Sequence, residues 1–447
     1  MMANNVINGE TTKKESEGTT AGCTLNASVK TSWRLVKLGE HIDLLTGFQF
    51  KSAQYTNDSE SIKLLRGDNV AQGCLRWEGV KLWPLSKSGD FTRYLLKRGD
   101  VILAMDRPWI EAGLKYAWVK KHDPPCLLVQ RVARLRGING LLTEYLRYVI
   151  ADQSFTDYIK PIVTGVSVPH ISPSQINAYM FWLPSVELQS KIAAILSAYD
   201  DLIENNTRRI KILEEMAQAL YREWFVNLRF PGHEKVRMVE SELGMIPQGW
   251  EVVTIRDVSD YINRGVSPKY DDQSSQIVIN QKCIREGKFN QDLVRRHASK
   301  IPVEKSIKFG DVLINSTGIG TLGRIAQIYK EIPDCTVDSH VTIVRPNDKV
   351  SIDYFGSYMS TLEPHFDSQG IGSTGQTELG RETIAKTSFL LPPRSIQDRF
   401  TEISSPMHKS IIEMFAKNAN FRRTRDLLLP KLISGEVDAE NIDISVQ

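Results

Sequence analysis

The sequence predicts a mixed α/β fold in which one globular unit occurs twice and each copy is followed by a long helix. Three observations lead to this prediction. Short sequence anchors recur with a period of roughly 210 residues, apolar residues near the anchors alternate at strand spacing, and two later stretches carry an apolar residue every three or four positions. A chain of 447 residues is also too long for one ordinary core and suits two or three domains.

Three pairs of anchors carry the predicted duplication, and they occur in the same order in both halves. The paired segments are 33–38 with 250–255, 97–103 with 308–314, and 183–184 with 391–392, at offsets of 217, 211 and 208 residues. Gln189 and Gln397 form a further match. The offset shrinks gradually, which small loop deletions explain, because loops tolerate deletions better than regular elements. The sequence therefore predicts an internal repeat.

Each copy is predicted to begin with a strand and to continue as a mixed strand-and-helix region of about 150 residues. Trp33 and Trp250 open segments whose apolar residues alternate, the pattern of a strand. In the second anchor, a Gly-Asp pair at 99–100 and again at 310–311 predicts a turn that leads into an apolar strand. A proline-marked break then precedes each long helix.

The first long helix is predicted to begin near Val186. Its apolar stripe alternates spacings of four and three for nearly five heptads, which is typical of a coiled-coil seam. The stripe consists of Ile192, Leu196, Tyr199, Ile203, Asn206, Ile210, Leu213, Ala217, Leu220 and Trp224. Asn206 is its one polar member, and a buried Asn at such a position can fix the register of two helices at some cost in stability.

The second long helix is predicted to begin at about Arg394, with a less regular stripe. Pro406 interrupts the stripe and predicts a kink or a break there. The stripe consists of Phe400, Ile403, Met407, Ile411, Met414, Asn418, Phe421 and Leu428. Burial of both stripes against the adjacent globular domain is the alternative interpretation. Length favours pairing of the helices, because a 40-residue helix is ~60 Å long and extends beyond a single small domain.

The composition indicates a protein of a reducing cytoplasm. The five cysteines, at 23, 74, 126, 283 and 335, are scattered, odd in number and form no C-x-x-C, which argues against a disulfide framework and against structural zinc. No long apolar run predicts a membrane span, and the N-terminus lacks the layout of a signal peptide. Residues 1–30 are polar and predict a disordered tail.

The charge is distributed unevenly between the two copies. Residues 31–185 hold 20 Lys and Arg against 14 Asp and Glu, a net of +6, whereas residues 247–393 hold 17 against 18, a net of −1. Ordinary solvated surface explains this difference as well as nucleic-acid binding does. A DNA-binding chain needs only to concentrate its cations on one face.

Two motifs suggest an enzyme, and neither is complete. Residues 318–323 fit G-x-G-x-x-G after an apolar strand, but the alternating residues that follow predict another strand instead of a helix whose N-terminus could bind a phosphate. Residues 123–126 are near the D-P-P-aromatic motif of amino-methyltransferases, but Cys126 stands where the aromatic residue stacks on the base. We therefore expect a chain that alone neither methylates nor cuts DNA.

The helix-to-domain junction at 229–250 and the C-terminal segment at 423–436 resemble the corresponding segments of specificity subunits of Type I restriction-modification systems. The resemblance spans about residues 31–440. It implies two α/β target-recognition domains joined by an antiparallel pair of helices. It also implies double-stranded DNA as ligand, two modification subunits that bind S-adenosylmethionine, optional ATP-dependent restriction subunits, and no cofactor in this chain.

The predicted order is a tail (1–30), target-recognition domain 1 (31–185), the central helix and linker (186–232), a linker and target-recognition domain 2 (233–393), and the C-terminal helix and tail (394–447). Loop residues near the repeated anchors are the candidates for DNA contact, because Arg, Lys, Asn and Gln read base edges while Lys, Arg and Ser hold phosphates. They are Lys51, Arg107, Lys115, Gln130, Ser167, His170, Lys269, Lys282, Ser316, Arg324, Thr374 and Gln376. A self-contained methyltransferase or nuclease, and a scaffold that binds no DNA, are the alternatives.

Overall fold

The chain folds into two compact units, each built from two stretches of sequence. The computed structural model describes residues 33–87, 89–110, 113–162, 169–370 and 378–440. Unit 1 comprises Met1–Leu202 with Asn420–Gln447, and unit 2 comprises Ile203–Ala419. Both boundaries fall within long helices, so each unit contains a segment of both helices.

Unit 1 is built around an antiparallel four-stranded sheet in the order β2-β10-β5-β8. A second sheet, β4-β3-β9, contains the parallel pair β3 and β9, and β1 pairs with β11. The strands are β1 (Arg34–Lys37), β2 (Ile42–Thr46), β3 (Ile62–Leu65), β4 (Lys81–Trp83), β5 (Val101–Ala104), β6 (Trp109–Ile110), β7 (Gly113–Leu114), β8 (Tyr116–Trp118), β9 (Cys126–Leu128), β10 (Val132–Gly137) and β11 (Met180–Leu183). The helices α1 (Thr143–Ala151), α2 (Gln153–Ile159) and α3 (Pro173–Asn177) precede the long α4 (Val186–Tyr221), and a π-helical turn, Arg222–Val226, follows α4.

Unit 2 repeats this plan. Its four-stranded sheet has the order β15-β23-β20-β21, its second sheet β19-β16-β22 contains the parallel pair β16 and β22, and β14 pairs with β24. The strands are β12 (Met238–Ser241), β13 (Gly244–Pro247), β14 (Glu251–Thr254), β15 (Ser259–Arg264), β16 (Ile277–Ile279), β17 (Ile284–Arg285), β18 (Lys288–Phe289), β19 (Arg295–Arg296), β20 (Val312–Asn315), β21 (Ile325–Gln327), β22 (Cys335–Val337), β23 (Val341–Pro346) and β24 (Ser388–Leu391). The helices are α5 (Ile352–Thr361), α6 (Glu363–Ser368), α7 (Arg381–Lys386) and the long α8 (Arg394–Ile433).

The aspartate of the Gly-Asp turn in the second anchor makes the same two contacts in both units. In unit 1 the carboxylate of Asp100 accepts the backbone N–H of Lys97 at 2.7 Å and holds the guanidinium of Arg136 at 2.9 Å. In unit 2 Asp311 accepts the N–H of Lys308 at 2.8 Å and holds Arg345 at 2.7 Å. The preceding glycines have φ of 88° and 90°, a conformation that favours glycine. The predicted turn-to-strand anchor is therefore confirmed.

Gln189 and Gln397 lock each long helix to its neighbouring globular region through main-chain atoms. The side chain of Gln189 accepts the N–H of Leu142 at 2.8 Å and donates to the carbonyl of Pro184 at 3.0 Å. Gln397 accepts the N–H of Ser351 at 2.7 Å and donates to the carbonyl of Pro392 at 2.8 Å. Because both glutamines are buried and their partners are backbone groups, this lock depends little on the neighbouring side chains.

Both long helices begin where the sequence predicts, at Val186 and Arg394, and of the kink or break predicted at Pro406 the break is wrong. α8 continues as one helix through this residue to Ile433. Proline removes one backbone donor and leaves the carbonyl four residues earlier without its helical partner. That residue, Glu402, and Pro406 itself are both exposed, so water can solvate the freed carbonyl.

The seam of α8 differs from the predicted stripe at one position. Ile403 is 42% exposed, whereas Ser404 is fully buried. With Ser404 in place of Ile403, the buried and half-buried positions follow the same alternation of four and three that α4 shows. They are Phe400, Ser404, Met407, Ile411, Met414, Asn418, Phe421, Arg425, Leu428 and Leu432. Apolar character alone selected the wrong neighbour, because the inward position is occupied by a small polar residue.

The helix segments contact each other within each unit, and their outer parts also pack on the globular cores. In unit 2 the side chains of Ile210, Leu213, Ile411 and Met414 form one cluster, while Phe400 and Leu220 join the core of that unit. In unit 1 the rings of Tyr199 and Phe421 lie 6.3 Å apart, and Ile192 and Leu196 join the core with Leu432. The two interpretations of the stripes therefore apply to different parts of the same helices.

Asn206 and Asn418 form a polar pair beside the apolar cluster of unit 2. Asn206 donates to the side-chain oxygen of Asn418 at 2.9 Å, and Asn418 donates to the carbonyl of Ile203 at 3.3 Å. Asn418 is only 1% exposed. If one amide of this pair is removed, the polar atoms of the other remain desolvated without a hydrogen bond, and the folded state is destabilised.

We expect Asn418→Leu to lower the free energy of unfolding by about 1–3 kcal/mol, because Asn206 would lose its partner. The double variant Asn206→Leu/Asn418→Leu should recover most of this loss, since replacing both partners leaves no unsatisfied group. Urea unfolding followed by circular dichroism measures both effects. Asn205→Leu, at an exposed position of α4, is the matched control and should change little. A double variant no more stable than the single one would contradict the pairing.

Candidate nucleic-acid interface

Three loop segments of unit 1 meet at one end of the four-stranded sheet. They are residues 105–108 after β5, residues 129–131 between β9 and β10, and residues 169–171 before α3. The N–H of Met105 donates to the carbonyl of Arg131 at 2.9 Å, and the N–H of Ile171 donates to the carbonyl of Met105 at 2.8 Å. We call this set of residues the loop junction of unit 1. Segments distant in the sequence are thus fixed by backbone hydrogen bonds.

The same backbone connections form a loop junction in unit 2, made of residues 316–318, 338–340 and 378–379. The N–H of Ser316 donates to the carbonyl of His340 at 2.8 Å, and the N–H of Leu379 donates to the carbonyl of Ser316 at 2.9 Å. Asp106 of unit 1 therefore corresponds to Thr317, and Arg131 corresponds to His340. The two junctions share a frame of main-chain hydrogen bonds.

The side chains on these two frames differ. In unit 1 the carboxylate of Asp106 lies 2.5 Å from Nδ1 of His170 and 3.5 Å from the guanidinium of Arg131. Arg107 and Arg131 both have positive φ, 44° and 68°, a conformation that is uncommon outside glycine and that is often found at ligand-binding sites. The junction of unit 1 thus combines a half-buried carboxylate and imidazole with two exposed guanidinium groups.

In unit 2 the corresponding cluster is built from hydroxyl, imidazole and amide groups. The hydroxyl of Thr317 lies 2.8 Å from Nδ1 of His340 and accepts a hydrogen bond from the amide of Gln281 at 2.8 Å. Beside them Arg264 forms an ion pair of 2.8 Å with Glu378. Burial raises the pKa of Asp338, whose carboxylate accepts the N–H of His340 at 2.9 Å.

A glycine before each junction brings two chain segments into close contact. A Cβ at Gly47 would lie 2.1 Å from the carbonyl oxygen of Val129, and a Cβ at Gly265 would lie 1.8 Å from that of Val337. Only glycine fits such an approach. Lys51 and Lys269 follow these glycines by four residues and are exposed, so the two predicted lysines occupy equivalent places.

The structure brings three of the predicted DNA-contacting residues of unit 1 together. Arg107, Gln130 and His170 belong to the loop junction, where Arg107 and Gln130 are exposed. Lys115 is largely buried, and burial lowers the pKa of its ammonium group while the nearby Asp68 opposes the change. Its backbone N–H donates to the carbonyl of Pro108 at 2.7 Å, which places it beside the junction. Ser167 lies outside the described residues.

In unit 2 the predicted residues divide into accessible and inaccessible ones. Lys282 is exposed, whereas Arg324 is half-buried and donates to the carbonyl of Gly320 at 2.7 Å. Ser316 is fully buried and its hydroxyl bonds to that of Thr342 at 2.6 Å, so in this structure its side chain is not accessible for the predicted DNA contact. Thr374 and Gln376 lie outside the described residues.

Sequence reasoning missed several residues of these surfaces. No local pattern distinguishes these residues from other loop residues. In unit 1 long-range strand pairing brings Asp106 close to Arg131, and in unit 2 it brings Thr317 close to His340. Unit 2 also exposes a basic and aromatic pair near Lys269, in which the guanidinium of Arg295 lies 3.4 Å from the ring centre of Tyr270. Such stacking leaves the guanidinium edge free to contact phosphates.

The two enzyme-like motifs have structural roles. Residues 318–323 connect β20 to the predicted strand, which is β21, so no helix begins after this loop. Asp123 accepts the indole N–H of Trp77 at 2.8 Å and the N–H of Lys120 at 2.7 Å. Within the described ranges, no three His, Cys, Asp or Glu side chains are placed to hold a metal ion. In the same part of the chain, no helix is long and apolar enough to cross a bilayer.

Comparison with protein families gives a match over both halves of the chain. The family described as Type I restriction modification DNA specificity domain matches residues 31–215 and again residues 247–419. The two matches together cover well over half of the chain and follow the duplication seen in the structure.

Individual relatives and a solved structure agree with the family match. The chain is 26% identical over 395 residues to the Type I restriction enzyme MjaIX specificity subunit of Methanocaldococcus jannaschii, covering 86% of this chain and 85% of that protein. It is 35% identical over 188 residues to the EcoAI specificity subunit of Escherichia coli, covering 42% of this chain and 31% of that protein. The crystal structure of a Type I restriction-modification S subunit from M. genitalium has the same fold, with a TM-score of 0.60 at 14% identity over 92% of this chain and 98% of that one.

Proposed function

This chain belongs to the Type I restriction modification DNA specificity domain family, and from this premise we propose that it reads a bipartite DNA sequence, with one half-site read by each unit. In this proposal the loop junctions of the two units face the grooves of the double helix. Base edges are read there by Arg107, Gln130 and Arg131 in unit 1 and by Thr317, His340 and Arg324 in unit 2.

The single observation that carries this proposal is the combination of an equivalent backbone frame with different side chains. Asp106, Arg131 and His170 occupy the frame of unit 1 where Thr317, His340 and Glu378 occupy that of unit 2. A protein that binds two different half-sites needs a common scaffold and separate sets of donors and acceptors. Among the residues that the structure describes, the Asp106–His170 pair of unit 1 is replaced by Thr317 and Glu378 in unit 2, which argues against one catalytic pair repeated in both units.

We further propose that α4 and α8 pair as an antiparallel coiled coil and contribute to the docking of two methyltransferase subunits. The alternation of four and three in both helices and the pairing of Asn206 with Asn418 support the coiled coil. The chain itself carries out no chemistry in this proposal. Methyl transfer belongs to the partner subunits with their S-adenosylmethionine, and cleavage belongs to any restriction subunits. The predicted domain limits and the cytoplasmic location stand as part of the same proposal.

The proposal predicts binding that weakens steeply as salt rises. Phosphate contacts by lysine release condensed counterions, so each lost contact should reduce the slope of log K against log salt by ~0.9. We expect this change for Lys51→Gln and for Lys269→Gln, with the preferred sequence unaltered because phosphates carry no sequence information. Fluorescence anisotropy of the methyltransferase complex with its target, across a salt series, measures it.

Lys211→Gln is the matched control for this experiment. Lys211 lies on α4 with a side chain 77% exposed and 3.8 Å from the carboxylate of Glu215, away from either loop junction along the chain. Its replacement should leave the salt slope unchanged. Absence of salt-dependent DNA binding would instead support a scaffold that binds no DNA, and binding without preference for any sequence would contradict the reading of a bipartite target.

A further inference from the structure

The loop that follows β20 exposes one large apolar side chain at its tip. Ile319 is 79% exposed and lies between Gly318 and Gly320, whose φ values are 105° and 69°. Exposed apolar side chains are ordinary when scattered, but this one extends from residues 318–323, which directly continue the loop junction of unit 2. The glycine-rich loop thus places the side chain of Ile319 at an exposed tip.

The loop has a defined conformation, since hydrogen bonds hold both of its ends. The N–H groups of Thr321 and Leu322 both donate to the carbonyl of Gly318, at 3.3 and 3.1 Å, and the N–H of Gly323 donates to that of Asn315 at 2.8 Å. A Cβ at Gly323 would lie 2.6 Å from the backbone of Asp367, so the loop packs closely against α6. Ile319 is therefore presented at a fixed place.

Polar and basic residues flank the tip of the loop in the sequence or belong to segments that contact its first residues. Thr317 with its partner His340 precedes the tip, Arg324 follows it, and Lys282 is exposed on the turn that also carries Gln281, the partner of Thr317. This mixture matches the major groove, where phosphates flank base edges and the 5-methyl group of thymine is the one apolar feature.

Unit 1 also carries an exposed isoleucine in the connection between β5 and β8, which corresponds to the connection between β20 and β21. Ile110 stands 209 residues before Ile319, in the segment that follows β5 as the glycine loop follows β20, and it is 38% exposed. Each unit therefore places an exposed isoleucine after the strand that leads into its loop junction, Ile110 in the short strand β6 and Ile319 in the glycine loop.

We propose that Ile319 contacts the 5-methyl group of a thymine in the half-site read by unit 2, and so helps to specify an A·T pair; this rests on the function proposed above. The contact is made in the major groove and not by insertion between bases. Unstacking a base step costs a few kcal/mol. A side chain inserted between two bases therefore has to be held in place by packing against the rest of the protein. Ile319 has glycines on both sides and little packing of its own, so it suits a light contact.

The test replaces thymine by deoxyuridine, which lacks only the methyl group, at each A·T pair of the unit 2 half-site in turn. One position should weaken binding by the wild-type methyltransferase complex about fourfold, the value of burying one methyl-sized group. Ile319→Ala should weaken binding to the thymine target at least as much, and deoxyuridine at that position should then cause no further loss. Such non-additivity identifies a direct contact.

Val303→Ala is the matched control, because Val303 is 81% exposed in the same unit but precedes β20 instead of following it. It should leave the uracil effect intact. Equal uracil effects in the wild type and Ile319→Ala would overturn the proposal, as would a target whose unit 2 half-site has no A·T pair. Increased fluorescence of 2-aminopurine on binding would indicate insertion and would overturn it too. Loss of all sequence preference in the wild-type complex would instead refute the proposed function.

Discussion

Replacing residues 31–185 by the corresponding domain of a relative that reads a different first half-site should change one half of the recognised sequence completely and leave the other half unchanged. Methylation at the parental first half-site should fall by about 1,000-fold or more, the usual minimum separation between specific and non-specific binding. The second half-site should be retained, because each unit has its own core and its own loop junction.

The way in which α4 is attached makes this exchange feasible. Gln189 contacts the N–H of Leu142 and the carbonyls of Gly140 and Pro184, so it recognises the course of the backbone and not the identity of the side chains. A foreign domain with the same fold offers the same three groups. Gln397 holds unit 2 through equivalent main-chain atoms, which the exchange does not touch.

Sequencing of the methylated sites formed by the chimeric complex measures the outcome at both half-sites at once. Gln189→Leu in the chimera is an informative companion, because it removes the three hydrogen bonds and should lower stability without altering either half-site. A chimera whose second half-site also changes would contradict independent readers. A folded chimera that methylates only the parental sequence would place recognition outside residues 31–185.

The repeated anchors could be predicted because each depends on a short stretch of sequence. A glycine followed by an aspartate both turns the chain and supplies a carboxylate three residues after the amide that it accepts, and Gln189 and Gln397 follow a proline at a fixed distance. The helical stripes are also visible in the sequence, since apolar residues recur every three or four positions over residues 192–224 and, less regularly, over residues 400–428. These features determine the order and type of the elements.

The exceptions concern burial of polar groups, which a local pattern does not reveal. Ser404 lies in the seam of α8 where Ile403 was expected, and Ser316 bonds to Thr342 across the sheet instead of facing a ligand. Both serines look like surface residues in sequence. Pro406 misled in the opposite direction, because a helix stabilised by tertiary contacts along its length tolerates one missing hydrogen bond on its exposed face.

The loop junctions could be predicted only in part, for a topological reason. Arg107, Gln130 and His170 were identified as loop residues near anchors, but their proximity follows from pairing between segments that are 64 residues apart in the case of Asp106 and His170. No periodic signal encodes that distance. Arg131 and His340 were missed because each follows a buried strand by only a few residues and precedes another, where a turn residue has no distinguishing neighbour.

Lengthening both long helices by one heptad should lengthen the spacer between the half-sites and leave the half-sites themselves unaltered. The chain passes from one unit to the other at 202–203 within α4 and at 419–420 within α8, so both connections are helical. Seven residues add ~10.5 Å at 1.5 Å per residue. With ~3.4 Å per base pair along the axis, the preferred spacer should grow by about three base pairs, and methylation at the parental spacing should fall by at least tenfold.

The insertion has to be matched to preserve the seam. Because Asn206 faces Asn418, seven residues placed after Asn206 require seven more between Lys417 and Asn418, and each insert repeats the apolar spacing of four and three. The same insert in α4 alone would leave its apolar positions without partners and should destabilise the chain. Urea unfolding therefore distinguishes a destabilised helix pair from one that is longer but intact. Sequencing the methylated sites of the matched variant gives its spacer directly. If that variant unfolds like the parent and still methylates the parental spacing as well as the parent does, the helices do not set the distance between the two readers.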